Sequence, residues 1–73
     1  MEVSTLTVPE MSCDACRAAI EGALERLPGV DSVSVDLDSK LVTIEHDEDR
    51  APVSRLAAAV EGEGYEVTAS EGL

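Results

Sequence analysis

The sequence predicts an α+β fold in the order βαββαβ, a four-stranded antiparallel sheet with two helices on one face. Two stretches repeat apolar residues at three- and four-residue steps, and four shorter stretches alternate apolar with polar residues. Pro and Gly fall at the boundaries between them. Seventy-three residues predict one domain, 1–73. A chain of this size buries only about 60% of its unfolded surface, which argues against a catalytic cleft framed by two lobes.

The segment Val3-Ser4-Thr5-Leu6-Thr7-Val8 is β-branched and sets Ser4, Leu6 and Val8 on one face, so it reads as a first strand ended by Pro9. A short loop, Glu10 to Cys13, leads into a helical pattern. Cys16, Ile20, Ala23, Leu24 and Leu27 share one face, and Arg17, Glu21, Glu25 and Arg26 fill the polar remainder. Asp14 is the expected N-cap and Pro28-Gly29 the stop. Val33, Val35 and Leu37 alternate with Ser34 and Asp36 in a second strand, and Asp38-Ser39-Lys40 turns into a third that carries Val42 and Ile44. Runs joined this tightly predict a hairpin.

Asp47 to Ala51 reads as a charged, solvated loop, and His46, at the end of the third strand far from the Glu10–Cys13 loop, is expected in solvent. Pro52 suits a first helical turn, after which Val53, Leu56, Ala57 and Val60 form an apolar stripe. Gly64 is the natural residue past the helix end, Tyr65, Val67 and Ala69 alternate as a fourth strand, and Ser70 to Leu73 reads as a tail. Two strand–helix–strand halves, each crossing over right-handedly, give the ferredoxin-like sandwich. That fold hosts many activities and assigns none by itself.

Composition narrows the classes. Hydrophobic residues make up 44% of the chain, but with no Phe or Trp and Tyr65 as the lone aromatic, Val, Leu, Ile and Ala must fill the core. Sixteen acidic residues against five basic give a net charge of −11. Phosphate recognition needs clustered Lys and Arg, so nucleic acid is excluded as a partner, and anionic membrane surfaces with it. No apolar run approaches the ~20 residues of a membrane span, and no signal-like segment opens the chain, so a soluble cytoplasmic protein is expected. The acidity, with Lys40 the only lysine, fits either a salt-adapted surface or steering toward a basic partner.

The chemistry lies in Met11-Ser12-Cys13-Asp14-Ala15-Cys16. Two cysteines are too few for a disulfide-stapled mini-protein and must be explained locally. Their spacing lets both sulfurs converge on one ion, with Cys13 in the loop and Cys16 in the opening helical turn. Soft thiolates suit soft cations, and the positive end of the helix favours thiolate over thiol at Cys16. Structural zinc usually takes four protein ligands and iron–sulfur clusters four cysteines. With no further Cys and no nearby His, the pair suits Cu(I), Ag(I) or Hg(II), which accept two-coordination, and leaves room for a partner's ligand. Zn(II) and Cd(II) stay open as alternatives. Met11 is expected to pack as core, Tyr65 to serve core, site or both, and the carboxylates of Asp47-Glu48-Asp49 to be solvated.

The chain resembles the heavy-metal-associated domain family, including its small copper chaperones and the amino-terminal domains of heavy-metal P-type ATPases. The resemblance covers essentially all 73 residues. It rests on Met11-x-Cys13-x-x-Cys16 after the first strand, Leu27-Pro28-Gly29-Val30 after the first helix, and Gly64-Tyr65 before the last strand. It implies that Cys13 and Cys16 are metal ligands, that Met11 packs beneath the loop, and that Tyr65 lies close to the site. The family usually has Gly before the Met; here Glu10 stands there and adds a negative charge near the loop. Ser12 precedes the first Cys as in copper-type members, where zinc- and cadmium-selective ones often carry Asp.

The function expected from these readings is a metallochaperone rather than an enzyme. It would bind a soft ion, Cu(I) first, and pass it by ligand exchange to a heavy-metal P-type ATPase or another acceptor. The apo protein is expected to be a monomer, with a metal-bridged dimer across the exposed loop as the alternative when loaded. The competing class is a thiol–disulfide oxidoreductase using the Cys pair. Such enzymes usually place a Trp before the motif and a cis-Pro facing it, and here Trp is absent while Pro9, Pro28 and Pro52 are accounted for by turns and a helix start.

Overall fold

A computed structural model describes residues 1–72. Its elements run β1 (Glu2–Thr7), α1 (Asp14–Glu25), β2 (Val30–Asp36), β3 (Leu41–His46), α2 (Val53–Gly62) and β4 (Ala69–Gly72). The strands form one sheet in the order β2-β3-β1-β4, with every neighbouring pair antiparallel. This is the βαββαβ sandwich that the patterning predicts. β1 lies inside the sheet, so the loop leaving it is flanked on one side by the β2–β3 hairpin and on the other by the approach to β4.

One face of the sheet carries the core. Leu6 of β1 sits opposite Val42 of β3, and Ser4 opposite Ile44. These residues are fully or almost fully buried together with Ile20 and Leu24 of α1 and Leu56 and Val60 of α2. Both helices therefore cover the same face. Thr5, Thr7, Thr43 and Glu45 alternate onto the other, which stays partly or wholly in solvent, as an antiparallel sheet allows.

The boundaries follow local chemistry. The β2–β3 hairpin closes through Asp36, whose Oδ1 accepts from the Asp38 and Ser39 amides at 2.9 and 3.3 Å, an Asx-type turn. It ends on Lys40 at φ 64°. Gly29 lies at φ +96°, and a Cβ there would meet the Arg50 Cβ at 2.7 Å. Only glycine fits that turn without displacement. Gly64, at φ +94°, follows α2 as expected.

Several expectations are corrected. The N-cap of α1 is Cys13, not Asp14, which is the first helical residue. Pro52 caps α2 from outside the helix instead of occupying its first turn. β2 begins at Val30, with a bulge between Val30 and Ser32. β4 begins at Ala69: ahead of it Tyr65 N–H goes to the Val60 carbonyl and Glu66 N–H to the Glu10 side chain, and Thr68 N–H reaches the Thr7 carbonyl of β1 just before the strand starts. The residues read as a tail, Ser70 to Gly72, are strand; Leu73 lies outside the described residues.

His46 is fully buried, not exposed. Its Nδ1 donates to the Ala51 carbonyl at 2.7 Å, and its Nε2 meets the Ser4 hydroxyl at 2.7 Å. The loop expected to be merely solvated folds back to make this possible, with the Arg50 and Ala51 amides bonded to the Asp47 carbonyl.

Candidate metal centre

The loop after β1 is built from its backbone outward. Val8 N–H donates to the Lys40 carbonyl at 2.9 Å, and Met11 N–H turns back to the Val8 carbonyl at 3.2 Å. The Met11 side chain is fully buried and draws the loop down onto the core, where a thioether fills irregular space well. The chain then rises to Cys13, which is extended (φ −147°, ψ 165°) and in N-cap position. Its carbonyl takes the first helical bond from Arg17 N–H at 3.0 Å.

Cys13 caps with sulfur instead of oxygen: its Sγ accepts from Cys16 N–H at 3.4 Å. The two sulfurs are 3.0 Å apart, both thiols are free, and Cys13 is exposed while Cys16 is half-buried against the core. Sequence spacing brings these residues together as expected. The helix beneath them contributes the positive end of its dipole.

Three groups act on Cys16. The hydrogen bond with Cys13, then the Tyr65 hydroxyl, then the Ser12 backbone pull its thiol down from 9.0 to about 7, against a smaller opposing effect of burial. The same bond to Cys16, followed by burial and the charge of the sulfurs, pushes the Tyr65 hydroxyl up from 10.0 to about 12. Tyr65 thus does both jobs considered for it, with its ring packed at the edge of the core and its hydroxyl on the site. Asp14 does not join the sulfurs; its carboxylate lies 3.5 Å from Arg17, which also lies 3.8 Å from Glu21.

Among the described residues no group of three or more His, Cys, Asp or Glu is arranged to hold a metal ion. His46 is bonded at the opposite end of β3. A surface depression of about 440 Å³ is lined by Asp14, Arg17 and residues 34–38 and includes neither cysteine. The site is a pair of sulfurs at the surface, one exposed and one half-buried. Two contacts at its base could not be read from spacing. Lys40 Nζ donates to the Met11 carbonyl at 2.7 Å, and Glu10 Oε1 accepts from Glu66 N–H at 3.0 Å.

A ferredoxin-like sandwich with a surface dithiol at its first strand-to-helix junction defines the class: a small α+β module with a two-sulfur, soft-donor site. The chain matches the heavy-metal-associated domain over residues 5–66 and belongs to that family. It is 47% identical over 62 residues to the copper chaperone CopZ of Staphylococcus haemolyticus (strain JCSC1435), a match covering 85% of this chain and 91% of that one. Among solved structures, the CopZ metallochaperone superposes with a TM-score of 0.88 at 36% identity, covering 90% of this chain and 98% of that chain. A copper binding domain from HMA7, a P-type ATPase, reaches a TM-score of 0.88 at 27% identity, covering 100% of this chain and 95% of that chain. No helix among the described residues is long and apolar enough to cross a membrane.

Proposed function

We propose that this protein is a metallochaperone that carries Cu(I) between the thiolates of Cys13 and Cys16 and delivers it by ligand exchange. The observation that carries the reading is the sulfur pair itself: two free thiols 3.0 Å apart on an exposed helix start, with no third donor arranged beside them among the described residues. A soft ion content with two sulfurs suits such a donor set, and ions that demand four protein ligands do not. The CopZ relatives support copper over Zn(II), Cd(II), Hg(II) or Ag(I) as cargo.

The resting sulfurs are closer than two ligands of one ion sit. With metal–sulfur bonds of ~2.3 Å, a near-linear two-sulfur ion requires them to part by roughly 1.5 Å from their 3.0 Å separation. Cys13 is the exposed member and makes that movement; Cys16, half-buried and already drawn toward thiolate, supplies the fixed anchor. The order reverses on delivery. A partner's thiolate attacks the exposed ion, Cys13 leaves first, and Cys16 follows. The partner we propose is the amino-terminal domain of a heavy-metal P-type ATPase, consistent with the likeness to the HMA7 domain. Thiols that must stay reduced support a reducing compartment, the cytoplasm, as the place where it works. On this reading it is a carrier and not an enzyme.

Anaerobic competition of the reduced protein against chromophoric chelators tests the cargo. One equivalent of tightly held Cu(I), with far weaker Zn(II), is expected; tighter zinc than copper would reassign the cargo. No tight metal, with a readily cycling Cys13–Cys16 disulfide, would revive the oxidoreductase reading. Delivery is tested by incubating the loaded protein with an ATPase amino-terminal domain and measuring copper in each after separation.

A further inference from the structure

We infer that Lys40 is a positioning residue for the cysteine loop, and that through the Met11 carbonyl it sets how firmly Cys13 and Cys16 retain their ion. The inference deepens the carrier reading and rests on it. It starts from where the only lysine of the chain directs its charge. Sixteen carboxylate side chains are available to it, yet among the described residues Lys40 forms no ion pair. Its ammonium instead donates to the Met11 carbonyl, 29 residues away, at 2.7 Å in a half-buried setting. A bond from a charged donor is roughly twice as strong as a neutral one.

Lys40 grips this loop twice. Its own carbonyl accepts the Val8 N–H at 2.9 Å while its side chain holds the Met11 carbonyl, and Met11 N–H closes back on the Val8 carbonyl at 3.2 Å. The turn from Val8 to Met11 is therefore stapled at both ends to one residue of the β2–β3 hairpin. Across the loop, Glu10 Oε1 takes the Glu66 N–H at 3.0 Å, next to Tyr65. The loop is thus clamped from both flanking segments of the sheet. The Glu10 clamp is the lesser one, because it is exposed to solvent while the Lys40 bond is half-buried.

The consequence for the site is preorganisation. Cys13 is exposed and two residues past the clamped carbonyl, and beyond that clamp the loop is held only where Cys13 caps α1 through Cys16 N–H and Arg17 N–H. Each freely rotating residue there would have to be ordered when the ion is captured, at the cost of affinity. Holding Met11 from below keeps the backbone of the ligand loop ordered while leaving the Cys13 side chain free to move. Retention and exchange are then set by different groups.

The test compares Lys40→Met, which keeps the apolar stem and removes the donor, with Lys40→Arg, which restores a charged donor. In the apo protein, Met11 amide hydrogen exchange is expected to quicken roughly tenfold in K40M and to return to within about twofold of the parent in K40R, in line with the loss of one charged hydrogen bond. Amides inside β1 and β3 stay unchanged. Cu(I) release to a chelator is expected to quicken about five- to tenfold in K40M, with recovery in K40R. Glu10→Ala should speed Glu66 amide exchange and leave the Met11 amide unaffected. Unchanged Met11 exchange in K40M, or copper release that is unaltered or not rescued by arginine, overturns the inference. Amide exchange in the apo protein reads the clamp without metal, so failure of the parent to bind Cu(I) would sink the carrier reading and the retention role, and is distinguishable from failure of the clamp.

Discussion

The two ends of the sheet solve opposite problems with similar parts. At the end where β1 gives way to α1, two potential donors, the Cys13 and Cys16 thiols, are left at the surface with only each other, Tyr65 and a backbone amide for company. At the other end, where β3 stops, one imidazole is sealed off completely and both its nitrogens are partnered, one by Ser4 and one by Ala51. Among the described residues no buried side-chain nitrogen or oxygen lacks a hydrogen bond. The closed end converts a polar side chain into structure. The open end keeps its thiols under-coordinated, and on the proposed reading a soft ion completes them. On that reading binding and stability fall to opposite ends of a sheet whose two central strands, β3 and β1, are six residues long.

If that division holds, changes at one end should move one property and spare the other. The largest expected effect is on binding. Cys13→Ser or Cys16→Ser halves the donor set, and Cu(I) affinity should drop by about a thousandfold or more, since losing even an outer-shell partner costs 10–100-fold. The thermal midpoint should barely move for C13S, whose side chain is exposed. Chelator competition and calorimetry on the same samples check both halves. Tight Cu(I) binding retained by both variants would break the site assignment.

The next effect is on stability. Gly29→Val puts a branched side chain at φ +96° and a Cβ 2.7 Å from that of Arg50. Left-handed backbone and overpacking together should destabilise by about 3 kcal/mol. Copper affinity of the folded fraction should match the parent, measured below the unfolding transition.

His46→Leu comes third. It keeps the bulk but strands the Ser4 hydroxyl and the Ala51 carbonyl in a buried site, at about 2 kcal/mol. Adding Ser4→Ala should recover part of that loss, because removing both partners of a buried bond costs less than removing one. Denaturant unfolding of the two single variants and the double variant measures the coupling. Additive losses would mean that the pair is not the link that seals this end.

How these ends read from sequence differs for a physical reason. The sheet and helices were legible because their periods and stop residues are local: the Leu6, Val42 and Ile44 alternation, the Ile20–Leu24 step and the Pro28-Gly29 stop each lie within a few neighbours. The cysteine pair was legible for the same reason. What escaped depends on partners far along the chain. His46 looked like an exposed strand end because Ser4 lies 42 residues away, and nothing local ties Lys40 to Met11, 29 residues away. Tyr65-Glu66-Val67 alternates like a strand, yet Glu10, 56 residues earlier, takes the Glu66 amide and the strand starts later. Asp14 was the expected cap, but the residue before it, Cys13, takes that position with its sulfur.

The smallest effect lies inside the open end and tests whether its two sulfurs are really unequal. Cys16, drawn down to about 7, should alkylate with a pH midpoint near that value instead of the ordinary 9.0. The sign follows directly: only thiolate reacts, so the rate is high above the midpoint and falls as pH drops through it. Apparent Cu(I) affinity should decline over the same range, because protons compete with the ion for the sulfur. Tyr65→Phe removes the second-largest influence that lowers Cys16 while leaving the ring packed. The midpoint should move part of the way back toward 9.0, and copper should be lost at a slightly higher pH. The Cys13 hydrogen bond remains in that variant, so the shift should be partial. A full return would make Tyr65, rather than the neighbouring sulfur, the chief influence on the anchor; no shift would leave its hydroxyl without a role at the site.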